Sequence, residues 1–247
     1  MKSLTYEEQA KEELKRWLRK MKKSERWTNR IAKKVQNKIN EFIPEKVHSV
    51  FTASIKKMVQ AALIGSEYIT KMDVPETLTL EQREKFFQET REVYKKTAAM
   101  EGAGTGAGGI LLAMADFALF LGIKMKFLFS AAAIYGFDVK DYKERLYILY
   151  LFQLAFSSEE KRKEVLEKIV SWDEYCATLP DEKTYLETID WKSFQLEYRD
   201  HIDLVKMLQL LPGFGAVVGF FANYHFLDVL GETAMNGYRL RYFKKIF

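Results

Sequence analysis

Apolar residues recur at the spacing of an α-helix along most of this 247-residue chain. Between residues 10 and 24 this spacing places one set of side chains on a single stripe of a helix: Leu14, Trp17, Leu18 and Met21. No segment that alternates apolar and polar residues is long enough to form a sheet. We therefore predict an all-α protein, a single multi-helix bundle with two long, glycine-bearing apolar helices at its centre.

Local signals mark where some helices begin. Pro44 suits the first position of a helix, because the N–H group that proline lacks has no intrahelical partner there. Either Thr79 or Thr77 can cap a later helix, since a threonine hydroxyl accepts hydrogen bonds from the first turn. We expect this later helix to end near Met100.

Two stretches carry almost no charge. Residues 102–123 include one formal charge, Asp116, and residues 207–227 include none. A helix of ~20 apolar residues can cross the hydrocarbon core of a bilayer. However, a carboxylate at mid-bilayer is costly, and Pro212 interrupts the second stretch. We predict that both stretches form buried central helices, and insertion into lipid remains the alternative.

Glycines cluster in both uncharged stretches. Gly104, Gly106 and Gly109 match the GxGxxG pattern, but a helix and not a strand is predicted before them, which excludes a dinucleotide-binding loop. Backbone N–H groups at this glycine-rich helix start could instead hold an anion. We favour close helix packing, because glycine lets two backbones approach. The predicted packing glycines are Gly102, Gly104, Gly106, Gly109, Gly213, Gly215 and Gly219.

One polar constellation lies near the end of the chain. His225, Asp228 and Glu232 are spaced to share one face of a helix, and an acid–base or metal site is one interpretation of them. The alternative is that they are buried polar groups that pair with one another. The full set of these buried polar candidates is Asp116, His225, Asp228, Glu232 and Arg239. We assign no catalytic residue, no metal ligand and no cofactor.

Positive charge is concentrated in the first part of the chain. Residues 1–60 carry 16 Lys and Arg against 7 Asp and Glu, whereas the whole chain has a net charge of +5. Such a basic end indicates an anionic partner, and no nucleic-acid-binding motif is present. Tryptophan beneath a Lys/Arg face is typical of helices that lie on anionic phospholipid. Alternatively, the tryptophans dock these helices onto the bundle and the cations form a solvated face.

We accordingly divide the chain into basic amphipathic N-terminal helices at residues 1–43 and a helical domain at residues 44–247. The predicted membrane- or anion-binding residues are Lys15, Arg16, Trp17, Arg19, Lys20, Lys22, Lys23, Arg26, Trp27, Arg30, Lys33 and Lys34. The chain contains one cysteine, Cys176, which excludes a disulfide framework. No signal-peptide pattern opens the sequence, and we expect a reducing cytoplasmic location.

Several separated blocks resemble the EcsC family of bacterial proteins, in the same order along most of the chain. These blocks are residues 42–47, 101–106 leading into 111–116, 146–149 with 152–156, 211–213 with Gly215, Gly219 and Asn223, and 231–236 followed by 238–241. The resemblance implies a genetic association with an ABC transporter linked to protein secretion. It implies no established catalytic residue.

These observations predict a non-enzymatic, membrane-associated helical protein linked to an ABC transporter, secretion or lipid handling. Its expected location is cytoplasmic, peripherally attached to the inner face of the cell membrane. The expected partners are an anionic phospholipid membrane and ABC transporter subunits, and not nucleic acid. One alternative is a soluble carrier with an apolar cavity for a lipid or small molecule between the glycine-rich segments. Another is an enzyme with an acidic/His site around Asp116, Asp228 and Glu232.

Overall fold

A computed structural model of the protein describes residues 4–22, 45–64, 68, 72, 74–105, 117–202 and 219–245. These residues form ten helices: α1 (Tyr6–Lys22), α2 (Glu45–Ile64), α3 (Leu80–Thr105), α4 (Phe117–Ile134), α5 (Tyr142–Phe156), α6 (Glu159–Val170), α7 (Trp172–Thr178), α8 (Glu182–Thr188), α9 (Trp191–His201) and α10 (Gly219–Lys245). Within this part of the chain there is no strand, only an isolated bridge between Ser157 and Ile202. The all-α prediction is confirmed.

Capping boxes begin two of the helices. The backbone N–H of Thr5 donates to Glu8 Oε2 at 2.7 Å, and the N–H of Glu8 donates back to Thr5 Oγ1 at 3.3 Å. Thr79 and Gln82 form the same reciprocal pair at the start of α3, at 2.9 and 3.3 Å. Thr79, and not Thr77, is therefore the cap, and α3 continues to Thr105, beyond the predicted end. Helix α2 begins at Glu45, directly after the predicted Pro44.

Helix α10 runs through the middle of the bundle and packs against α3, α5, α4 and α1. It is antiparallel to α3, because Arg239 near its end contacts Glu84 near the start of α3, whereas Asp228 contacts Lys95 further along α3. Helix α10 thus contacts helices from the early and central parts of the sequence.

Helix α5 is enclosed on almost every side. All of its residues except Lys143 are buried, and it contacts α2, α4, α6, α9 and α10. A helix that is apolar all round belongs in the interior of a bundle. The sequence pattern instead predicts that the two central helices are at residues 102–123 and 207–227, and that prediction is not confirmed. Residues 106–116 and 203–218 lie outside the described residues.

Predicted packing glycines fall in different places. Gly102 and Gly104 lie in the last turns of α3, and Gly219 is the first residue of α10. Gly106, Gly109, Gly213 and Gly215 lie outside the described residues.

Close packing against α10 instead depends on Gly237. Its carbonyl accepts a hydrogen bond from Tyr147 Oη on α5 at 2.8 Å, and a Cβ at this position would overlap Leu151.

No helix in the described ranges is both long enough and apolar enough to span a membrane.

Candidate binding site between the first and last helices

Helix α1 attaches to the bundle through a narrow apolar stripe, Ala10, Leu14 and Trp17, all of which are buried. The indole of Trp17 belongs to the continuous hydrophobic core. The interpretation of Trp17 as a ring at the lipid headgroup level is therefore wrong for this conformation, and its role is to dock α1 onto the bundle. Trp27 lies outside the described residues.

Charged residues of α1 are segregated along the helix. The first half carries Glu7, Glu8, Glu12 and Glu13 with a single cation, Lys11. The second half carries only cations: Lys15, Arg16, Arg19, Lys20 and Lys22. This order complements the helix dipole, whose positive end is at the N-terminus. All five of these cations are exposed. The remaining predicted cations, Lys23, Arg26, Arg30, Lys33 and Lys34, lie outside the described residues.

Three of the exposed cations form what we call the outer basic stripe: Lys15, Arg19 and Lys22. Their spacing of four and three residues places them on one face of the helix, away from the buried stripe. Lys15 pairs with Glu12 at 2.8 Å, and both side chains remain largely exposed. An exposed pair of this kind contributes little to stability and leaves the charges accessible.

Beneath α1 lies a buried ion pair between α10 and α3. The guanidinium of Arg239 donates through Nε and Nη2 to the two carboxylate oxygens of Glu84, each at 2.6 Å. Its Nη1 donates to Glu13 of α1 at 2.8 Å. The hydroxyl of Tyr6, also on α1, donates to Glu84 at 2.6 Å. Arg239 therefore joins α1, α3 and α10.

The environment of this network shifts the pKa values of Arg239 and Tyr6. Burial alone lowers the pKa of Arg239, but the hydrogen bonds and charge of Glu84, together with Glu13, raise it overall. Burial and the hydrogen bond to Glu84 raise the pKa of Tyr6. Both groups therefore keep their protons at neutral pH, and the network is a fixed electrostatic contact.

A second ion pair, with a buried carboxylate, joins α5 and α10. Glu144 accepts a hydrogen bond from Tyr238 Oη at 2.8 Å and pairs with Arg241. The guanidinium carbon of Arg241 lies 3.8 Å from the ring centre of Phe137 and 4.6 Å from that of Tyr147. Burial raises the pKa of Glu144, and Arg241 opposes this shift. With every charged group satisfied, this cluster is structural.

A pocket of about 290 Å³ opens between α1 and α10. Its lining combines charged and apolar side chains from the two helices: Glu13, Arg16, Trp17 and Lys20 from α1, and Glu232, Met235, Asn236 and Arg239 from α10. We call it the α1–α10 pocket.

Asn236 contributes an unusual group to this lining. Its Nδ2 donates to the backbone carbonyl of Glu232 at 2.8 Å. Its Oδ1 is buried and has no hydrogen-bond partner among the described residues. An unsatisfied buried acceptor is destabilising unless something donates to it.

The predicted acidic/His constellation does not come together as a buried cluster. Asp228 pairs with Lys95 of α3 at 2.5 Å, and Glu232 pairs with Lys20 of α1 at 3.3 Å. Their side chains are 44% and 47% exposed, so these two are not buried polar groups. Arg239 is buried, and its partners are Glu84 and Glu13. Asp116 and the side chain of His225 lie outside the described part.

The described residues contain no group of three or more His, Cys, Asp or Glu side chains that could hold a metal ion. Cys176 is half-buried, and burial raises the pKa of its thiol to about 11. The thiol is therefore protonated at neutral pH and is a poor nucleophile.

Sequence reasoning missed the partners of Arg239. Glu84 occupies a position on the apolar stripe of α3, four residues after Leu80 and three before Phe87, both fully buried. A carboxylate at a core position requires a cationic partner, and this was the available signal. It did not identify the partner, because Glu84 and Arg239 are 155 residues apart.

Comparison with known proteins adds an evolutionary relation. A sequence model of the EcsC protein family matches residues 8–243, which include most of α1 and nearly all of α10. Protein EcsC of Bacillus subtilis (strain 168) is 50% identical over 216 residues, 87% of this chain and 87% of that protein. The uncharacterized protein YdbA of the same strain is 32% identical over 148 residues, 58% of this chain and 52% of its own. No solved structure matches the chain.

Proposed function

The chain belongs to the EcsC family, and from this premise we propose that it is a non-enzymatic protein that attaches peripherally to anionic phospholipid at the inner face of the cell membrane. The outer basic stripe is the observation that carries the proposal. Lys15, Arg19 and Lys22 project from a helix whose opposite face is anchored in the core, so the cations are held at a fixed place on the surface.

Electrostatics is the proposed source of binding. A cation close to an anionic leaflet contributes on the order of 1 kcal/mol. This contribution falls within one Debye length, about 8 Å at physiological ionic strength. Because Trp17 is buried, the described part of α1 offers charge and no aromatic anchor, and binding is expected to weaken strongly with salt.

Subunits of an ABC transporter are the proposed protein partners, an expectation that follows from the family resemblance. Attachment to the same leaflet would bring the protein close to such a transporter. Of these two proposed interactions, the described surface supports the one with the lipid leaflet.

Vesicle flotation tests the proposal. The protein is mixed with vesicles of phosphatidylcholine alone or with phosphatidylglycerol, at low and high salt. We compare the variant Lys15→Glu, Arg19→Glu and Lys22→Glu with a control that reverses three exposed lysines elsewhere, Lys163, Lys183 and Lys192. The two variants have the same net charge and differ only in where the charge was changed.

We expect the stripe variant to bind anionic vesicles at least about 100-fold more weakly, because three cations at roughly 1 kcal/mol each are lost. The control variant should bind nearly as the unmodified protein does. If the two variants lose binding equally, net charge and not the stripe is responsible. Absence of binding to anionic vesicles at low salt would refute the proposal.

A further inference from the structure

The α1–α10 pocket lies beside the outer basic stripe on the same helix but has a different composition. At about 290 Å³ it is at the small end of ligand pockets, which measure roughly 300–1,000 Å³. It fits a headgroup-sized molecule and not an acyl chain.

Among the charged residues that line the pocket, one cation has no ion-pair partner in the described part of the chain. Arg239 is committed to Glu84 and Glu13. Lys20 faces Glu232 at 3.3 Å, and because both side chains are largely exposed, this pair can open at little cost. Arg16 forms no ion pair with any side chain in the described part of the chain. A guanidinium is suited to phosphate or carboxylate oxygens, which it can bind through two donors at once.

Asn236 specifies a second property of the ligand. Because its Nδ2 already donates to a carbonyl, the orientation of the amide is fixed, and Oδ1 can act only as an acceptor. The ligand must therefore carry a donor near its anionic group. A hydroxyl suits a neutral amide oxygen, whereas an ammonium group would be repelled by Arg16 and Lys20.

We propose that the α1–α10 pocket binds a phosphate ester that bears a hydroxyl group, with the phosphate on Arg16 and Lys20 and the hydroxyl on Asn236 Oδ1. This inference deepens the proposed function, since the glycerol phosphate headgroup of an anionic phospholipid has this chemistry. A free polyol phosphate has the same chemistry, and the experiment separates the two sources.

The first arm measures soluble ligands by calorimetry. The probes are glycerol phosphate, inorganic phosphate and glycerol, and the variants are Arg16→Gln, Arg19→Gln and Asn236→Leu. Arg19 is the matched control for Arg16, because it carries the same charge on the same helix but does not line the pocket. Leucine has as many side-chain heavy atoms as asparagine and branches at the same carbon, and it removes the acceptor. Circular dichroism and thermal unfolding confirm that each variant is folded.

We expect glycerol phosphate to bind, and Arg16→Gln to weaken it about tenfold or more, the loss of one charged hydrogen bond. Arg19→Gln should stay within about twofold of the unmodified protein. Asn236→Leu should weaken glycerol phosphate and leave inorganic phosphate unchanged. Equal effects of the two arginine variants, or no binding of glycerol phosphate at millimolar concentration, would overturn the proposal.

The second arm uses vesicles of equal surface charge that contain either phosphatidylglycerol or phosphatidylserine. A preference for phosphatidylglycerol that Asn236→Leu abolishes identifies the lipid headgroup as the ligand. Binding of free glycerol phosphate with no such preference identifies the soluble ester. If every anionic vesicle fails while glycerol phosphate binds, the membrane proposal falls and the pocket stands. If anionic vesicles bind equally and glycerol phosphate does not bind, the pocket proposal falls and the membrane proposal stands.

Discussion

The charged and polar groups of α10 find their partners in opposite ways on the two sides of the helix. On the closed side, facing α3 and α5, the backbone of Gly237 meets Tyr147, and the charges of Arg239 and Arg241 are matched by buried carboxylates. On the open side, facing α1, the contacts are polar pairs at the surface around a pocket. The closed side fixes the fold, whereas the open side leaves room and charge for a ligand.

Arg239 belongs to both sides and allows the sharpest comparison. Glu84 is 2% exposed, whereas its second partner, Glu13, is 49% exposed. Glu84→Ala leaves a buried charge without its main partner and should cost about 3–5 kcal/mol of unfolding free energy. Glu13→Ala should cost below about 1 kcal/mol. Urea denaturation of both variants measures the difference.

Adding Arg239→Met to Glu84→Ala should recover part of the lost stability, because it removes the uncompensated charge. Similar losses in Glu84→Ala and Glu13→Ala would show that the closed and open sides do not differ energetically.

Alanine substitutions at two glycines of α10 should differ in their effect on stability, by less than the two glutamate variants do. A Cβ at Gly237 would overlap Leu151, which is fully buried, so Gly237→Ala should destabilise the protein by about 1–3 kcal/mol. A Cβ at Gly231 would lie 2.7 Å from Cδ of Arg91, whose long side chain can move aside. Gly231→Ala should therefore stabilise the protein by up to about 1 kcal/mol, the difference in helix propensity.

Thermal unfolding of these two variants tests the sign of each effect. A loss of stability in Gly231→Ala comparable to that in Gly237→Ala would show that α10 is closely packed along its whole length.

The smallest expected effect concerns pH. Hydrogen bonds from the backbone and side chain of Thr5 hold the pKa of Glu8 below its usual value, so the stability this group gives α1 is present above the unfolded-state pKa and is lost as pH falls through the folded-state pKa. Burial raises the pKa of Glu144, so its titration has the opposite sign and favours the folded state as pH falls.

Carboxyl carbon NMR titration should therefore give a midpoint below that of a free glutamate for Glu8 and above it for Glu144. Thr5→Ala should move the Glu8 midpoint upward, because the side-chain hydrogen bond is lost, and should leave Glu144 unchanged. A Glu144 midpoint below the free value would mean that the Arg241 charge outweighs burial on the closed side.

Local features of the fold could be predicted from sequence. The apolar spacing at Leu14 and Trp17 identified α1, and Thr79, one of two predicted caps, marked the start of α3. What such a stripe packs against is not contained in its spacing, because a bilayer and a bundle select the same apolar face. The sequence therefore left two interpretations of Trp17, contact with lipid or docking onto the bundle, and the structure shows that Trp17 is buried.

The candidate site could not be predicted from the sequence, because its residues pair with residues that are far away along the chain. Asp228 and Glu232 were correctly placed on one helix, but their separate pairing with Lys95 and Lys20 depends on which helices flank α10. The α1–α10 pocket combines residues from the two ends of the chain, and no local pattern links Arg16 with Asn236.

The contact between α1 and α10 has a consequence for how the protein is made. Glu7, Glu13 and Lys20 bind Tyr242, Arg239 and Glu232, which are synthesised 235, 226 and 212 residues later. Domains assemble as the chain emerges from its N-terminal end. Helix α1 is therefore synthesised well before α10, against which it docks. Until α10 emerges, the cations of α1 and the indole of Trp17 are exposed together in the nascent chain.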